Sequence, residues 1–217
     1  MAAWLEHKLS RAGHTVFVTT THQLLPTAFV AASERIRTAK IRSELSVQEI
    51  AAPEQIAPHA IALGAGVSLT GEEASLDSVH GAGRLILLHD PKMAAEWGNE
   101  FRFVCYAQAP LEIEIGTDPF IADVAWSWLT DALDDRGVKY TAIAGTATKT
   151  ISTGYGQLSH QPDGAQLQLR ASWTPLETDY ENHVEAWSEL LCLIAGLPHD
   201  EGLTSLDAHR HKQQTQH

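Results

Sequence analysis

Arg84-Leu85-Ile86-Leu87-Leu88-His89 and Phe101-Arg102-Phe103-Val104-Cys105-Tyr106 are the two stretches that decide the architecture of this chain. Four successive aliphatic residues in the first leave neither face polar, the pattern of a strand in the middle of a sheet. In the second, Phe101, Phe103 and Cys105 alternate with Arg102, Val104 and Tyr106, as in a strand with one buried face. Outward from this pair, Leu111, Ile113 and Ile115 alternate with Glu112 and Glu114, which predicts that the strand resumes after a break at Pro110. Tyr140–Thr153 alternates Thr146, Thr148, Thr150 and Ser152 with Gly145, Ala147, Lys149 and Ile151. Ala165–Trp173 sets Leu167, Leu169, Ala171 and Trp173 against Gln166, Gln168, Arg170 and Ser172. Two shorter strands are expected at Leu45–Glu49 and Val67–Thr70, and the polar stretch Gly71–Gly83 reads as a mobile loop.

Helical periodicity fills the gaps. Phe29, Ala32, Ile36 and Ala39 form one apolar stripe on a helix from Pro26 to about Arg42. A second helix is expected from Pro53 to Leu63, stopped by Gly64-Ala65-Gly66. Asp118 and Pro119 suit the start of a helix that Gly137 ends, and Trp126 and Trp128 on opposite sides predict apolar neighbours around it. Thr178 and Glu181 have capping-box spacing at the head of a last helix with Val184, Trp187, Leu191 and Ile194 on its buried stripe. Ala125-Trp126-Ser127 and Ala186-Trp187-Ser188 echo one another, each after a pair of strands, which is the pattern of a duplicated unit. The element order describes an α+β domain with a largely antiparallel sheet covered on one face by helices. It spans residues 23–198, with an N-terminal extension at 1–22 and a polar tail at 199–217 that are both expected to be poorly ordered.

Of the 217 residues, 15 are Lys or Arg and 27 Asp or Glu, a formal net charge of −12, and 44% are apolar. The apolar share is enough for a folded core. The negative charge repels phosphate backbones and anionic lipid, so neither nucleic acid nor a membrane is an expected partner. Val16-Phe17-Val18 is too short for the ~7–15-residue apolar core of a signal peptide. A cytoplasmic location with Cys105 and Cys192 as reduced thiols is the expectation. Two cysteines make neither a disulfide framework nor a cysteine zinc site, and His209 and His211 lie in the tail without fixed neighbours. No metal and no cofactor is expected.

Two clusters can carry chemistry. His89-Asp90 ends the central strand with Arg102 on the next and Trp97 between, the raw material of a small acid–base pocket. Arg35, Arg37, Lys40 and Arg42 place four of the 15 basic residues within eight positions, a face suited to an acidic partner or, with Arg170, to a phosphorylated metabolite. His183, four residues before Trp187, reads as a histidine at the core edge. Glu112/Glu114 and Glu181/Glu185 read as solvated pairs, and the threonine row as an exposed strand face.

Leu87-Leu88-His89-Asp90-Pro91, Trp97 with Phe101-Arg102 and Tyr106, Trp126-Ser127-Trp128-Leu129-Thr130-Asp131, Gly145-Thr146 with Thr148, Arg170-Ala171-Ser172-Trp173-Thr174-Pro175 and Ala195-Gly196-Leu197-Pro198 occur here in that order. Together they resemble an uncharacterised actinobacterial family, domain of unknown function 3000, over about residues 24–198. That resemblance implies an intracellular bacterial protein of single-domain size and assigns no activity. The element order is also similar to the secretion-chaperone-like fold, whose members are dimeric, non-enzymatic peptide binders. The leading expectation is accordingly a non-enzymatic adaptor, with a homodimer implied. A hydrolase-like enzyme at His89, Asp90 and Arg102 and a metabolite-binding regulator stand as alternatives.

Overall fold

Alternation in the strands and stripes on the helices meet in one layer each. The computed structural model describes residues 25–69 and 74–199, so the expected extension and nearly all of the tail lie outside the described residues. Helix α1 (Thr27–Ile36) leads into strands β1 (Leu45–Ile50), β2 (His59–Val67) and β3 (Ala82–His89). A short helix α2 (Ala94–Trp97) precedes β4 (Phe101–Leu111), and α3 (Ile113–Thr117) precedes the long α4 (Ile121–Asp135). Strands β5 (Tyr140–Ser152) and β6 (Gly164–Pro175) and helix α5 (Tyr180–Ile194) complete the domain. The six strands form one antiparallel sheet in the order β1-β2-β3-β4-β6-β5.

Helices α1, α4 and α5 share one face of this sheet, and the core lies between. Leu85 and Leu87 from β3, Phe103 and Cys105 from β4, and Leu167, Leu169 and Trp173 from β6 point into it, all essentially inaccessible to solvent. Helix α5 occupies the middle of the layer and is buried on nearly every side, with Trp187, Leu190, Leu191 and Ile194 innermost. The sequence placed that envelopment on α4, but Trp126 and Trp128 are only half-buried and Val124 is exposed. The Ala-Trp-Ser echo falls in α4 and α5, the helices of two strand–strand–helix units whose second strands, β4 and β6, lie side by side.

No helix forms at Pro53–Leu63: residues 53–58 are turns, and strand β2 runs from His59 through the glycines to Val67. Ile61-Ala62-Leu63 is buried on both sides and so carries no periodicity to tell strand from helix. Gly64 and Gly66 lie inside β2 and do not end a helix. A Cβ on Gly64 would meet Leu76 at 3.3 Å, and one on Gly66 would collide with the carbonyl oxygen of Ser75. The two glycines thus let the β2–β3 connection lie directly on the strand. Ser46 Oγ accepts from Ala74 N at 2.8 Å, and Ser78 Oγ donates to Val67 O at 2.6 Å. Residues 74–80 are therefore a pinned cover, and β3 already begins at Ala82.

Three smaller differences have local causes. Helix α1 stops at Ile36, since the segment after it turns to reach α5. Strand β4 runs through Pro110 to Leu111, and Ile113–Thr117, whose alternation suggested more strand, is helix α3. Glu181 makes no capping box with Thr178, because Asp179 takes the N-cap position and Arg35 takes Glu181 at 3.0 Å.

At the centre of the core, Trp173 Nε1 donates to His183 Nδ1 at 3.1 Å, beneath Phe103. Burial pulls the His183 pKa down to about 4, with Asp179 acting weakly in the opposite sense. The unfolded chain takes up a proton near pH 6.5 that the folded chain refuses until about pH 4. Stability is thus full above pH 6.5 and is lost as pH falls through that window, by roughly 3 kcal/mol at about 1.4 kcal/mol per unit. In urea titrations His183→Gln, whose amide oxygen still accepts from Trp173, should flatten that loss between pH 7 and 4.5. Gly66→Val should cost about 1–3 kcal/mol as the cover is displaced, read as a lower urea midpoint and faster amide exchange at Ala74.

Candidate functional site

With every large helix on one side, the other face of β3, β4, β6 and β5 is left open. A shallow cavity of about 1170 Å³ runs across it, bounded by Leu76 and Asp77 of the cover on one side and reaching Pro53 and Trp97. Register fixes what faces it. Arg84 pairs with Tyr106, Tyr106 with Arg170 and Arg170 with Thr146, a single row across four strands. The next row is Ile86, Val104, Ser172 and Ala144. The first row is therefore polar and the second mainly apolar, and beyond it Leu88 pairs with Arg102.

The polar side chains of the trough hold its shape. Tyr106 Oη donates to Gln108 Oε1 at 2.6 Å and accepts from Gln168 Nε2 at 2.8 Å, which fixes the ring. The Arg170 guanidinium lies 5.6 Å from the centre of that ring, a cation–π contact. Arg102 is spent internally, donating to Ser172 Oγ at 2.8 Å, Thr174 Oγ1 at 3.1 Å and Ala142 O at 3.3 Å. Those bonds tie down the bulge between Thr141 and Ala144, where Ala142 adopts a φ of 49°.

His89 and Arg102 do not converge. Arg102 is the cross-strand partner of Leu88, so it faces the trough while His89 faces the helices. The His89 ring is 1% exposed, between Phe29, His59 and Phe101, with centroids 5.9, 5.8 and 4.6 Å away. Its Nε2 is 3.5 Å from a Glu100 carboxylate oxygen, too poorly placed for a hydrogen bond. Asp90 serves the turn that follows, accepting from Lys92 N at 2.9 Å. The acid–base pocket expected at His89, Asp90 and Arg102 is not assembled, because strand alternation sends its members to opposite faces.

The basic run is largely neutralised within the chain. Arg35 pairs with Glu181 at 3.0 Å and Arg37 with Glu49 at 3.0 Å. The Lys40 amide donates to Glu185 Oε1 at 2.9 Å. Arg42 is buried among Glu44, Glu189 and the Pro198 carbonyl, which it reaches at 2.7 Å, and its hydrogen bond holds the Glu44 carboxyl below the usual range. Glu189 is shared with Arg136 at 3.7 Å and His199 at 3.3 Å. The side chains of Arg35, Arg37 and Arg42 therefore tie α1 and the segment after it to β1 and α5, Lys40 does so through its backbone N–H, and the four offer no continuous cationic surface.

Both thiols are buried, and burial pushes Cys105 up to about 12, so it is no nucleophile at neutral pH. Among the described residues no group of three His, Cys, Asp or Glu side chains is placed to hold a metal. No helix among them is long and apolar enough to cross a membrane. The residues that the sequence reading passed over are Arg84 and Tyr106. Their alternation was visible, but only the pairing of β4 with β6 aligns them with Arg170.

Arg42→Glu would set a third carboxylate against Glu44 and Glu189 and should cost about 3–5 kcal/mol, as breaking a buried pair does. Arg37→Glu, at a half-exposed pair, should cost less than about 1 kcal/mol. Urea unfolding of both variants separates a structural clasp from a surface patch.

Nothing matches the chain among curated proteins or among solved structures. A family model described as "Protein of unknown function (DUF3000)" matches residues 25–204, which takes in the whole sheet, its helical layer and the open trough. The chain belongs to that family.

Proposed function

We propose that this chain is a non-enzymatic binding protein of the cytoplasm that receives a segment of a protein partner on the open face of its sheet. The observation that carries the reading is the one-sided helical layer, which leaves β3, β4, β6 and β5 uncovered along a trough of about 1170 Å³. Small-molecule sites of ordinary size enclose most of their ligand. This trough is broad and open to solvent, a shape suited to an extended chain. Its floor is also prepared in advance, since Tyr106 and Arg170 are already fixed by Gln108, Gln168 and the ring contact. Preformed contacts lower the ordering cost of binding.

Similarity of element order to secretion chaperones supports peptide binding and a homodimer by analogy of fold, which alone does not fix function. The enzyme alternative loses its geometric basis with His89 and Arg102 on opposite faces. The metabolite alternative keeps only Arg170, because Arg35 and Arg37 are already paired.

A photo-reactive benzoylphenylalanine placed at Val104 or Thr146, and as a control at Asp131 on α4, tests the reading in the cells that make the protein. Irradiation should join a partner to the two trough positions and not to Asp131. Equal capture at all three, or none in the trough, would remove it.

A further inference from the structure

We infer that the partner segment is acidic, with carboxylates held by Arg84 and Arg170 and neighbouring apolar side chains seated on Ile86 and Val104. This inference rests on the trough as a protein-binding surface and adds its chemistry. Charge complementarity carries it. In a chain with a net charge of −12, the described residues lining the trough include three arginines and a single acid, Asp77. Arg102 is committed to Ser172, Thr174 and Ala142. Arg84 and Arg170 are exposed and make no ion pair with any described residue.

Arg84 and Arg170 flank Tyr106 in one row, so their backbones stand two strand spacings, about 10 Å, apart. Carboxylates two residues apart share one face of an extended peptide about 7 Å from each other, a gap that the long arginine side chains can close from that separation. Arg170 is held against the Tyr106 ring, and a guanidinium fixed in this way offers a planar donor fork to a carboxylate with little left to order. The row beside it, Ile86 and Val104, is half-buried and aliphatic, one strand position away. An acidic residue next to a Leu, Ile or Val therefore meets complementary chemistry on both sides of its backbone. A nucleic acid would meet the same arginines against the repulsion of the whole acidic chain.

Selection of phage-displayed random heptapeptides on the full-length protein tests this without knowledge of the partner. Recovered sequences should be enriched in Asp and Glu beside aliphatic residues. The affinity of a synthetic copy of the best one should fall about tenfold in the Arg84→Gln/Arg170→Gln double variant, as the loss of two exposed ion pairs implies, and weaken with salt. Arg84→Lys/Arg170→Lys, which keeps both charges and loses the planar fork, should recover only part of that loss, and unchanged urea midpoints would show that both variants fold. Selection without acidic enrichment, or binding untouched by the glutamine variant, would overturn the inference. So would equal, Arg84-dependent binding of oligo-dT. Photo-adducts in the trough without acidic enrichment leave the binding surface standing and remove only its charge preference, whereas loss of the adducts removes both.

Discussion

An antiparallel sheet has two faces, and this chain supplies enough amphipathic helix to close one of them. Everything else follows from that asymmetry. The closed face is selected by odd-numbered residues from Leu85 to Trp173, which the helices seal from water. The even-numbered residues on the same strands, from Arg84 to Ser172, are then committed to the opposite side, because a strand cannot turn one residue without turning all of them. The polarity of the open face is thus set by the same alternation that builds the core. Where that face must be covered, over β2, the chain uses no helix but leaves room at Gly64 for the side chain of Leu76 and at Gly66 for the backbone of Ser75.

The helical layer is itself held by charge as well as by packing. Glu189, buried on α5 next to Leu190 and Leu191, gathers Arg42 from the segment after α1 and Arg136 from the end of α4. Three elements distant in sequence meet at one buried carboxylate. Buried pairs of this kind add little net stability but penalise alternative arrangements heavily, so their natural role is to fix which helix lies beside which. Cations that looked like a docking surface therefore act as internal fasteners, and the cations that remain for a ligand are those on the other side of the sheet.

Much of the architecture was legible. Period-two alternation located β4, β5 and β6, an unbroken aliphatic run located β3, and three-to-four spacing located α1, α4 and α5. The failures share a cause. Ile61–Leu63 is dry on both sides, so its pattern is silent. Gly64 and Gly66 carried a close-approach signal that looks identical to a helix stop until the strand around them is known. Of the site, the side chains on each strand were readable and the row they form was not. Arg84, Tyr106 and Arg170 become neighbours through pairing of strands about sixty residues apart, and no local pattern records that.

That long-range pairing has a kinetic side. Strands β1 to β4 follow one another as a meander and β5 and β6 form a hairpin, so both sub-sheets can zip from local turns. Their union depends on β4 finding β6, with Phe103 opposite Trp173. The intervening chain must be closed before that contact returns any energy, which makes the seam a natural bottleneck in folding. The trough lies directly across this seam. A molecule whose two halves have not yet joined would have Tyr106 on one piece and Arg170 on the other, so the trough comes into being only when that pairing forms.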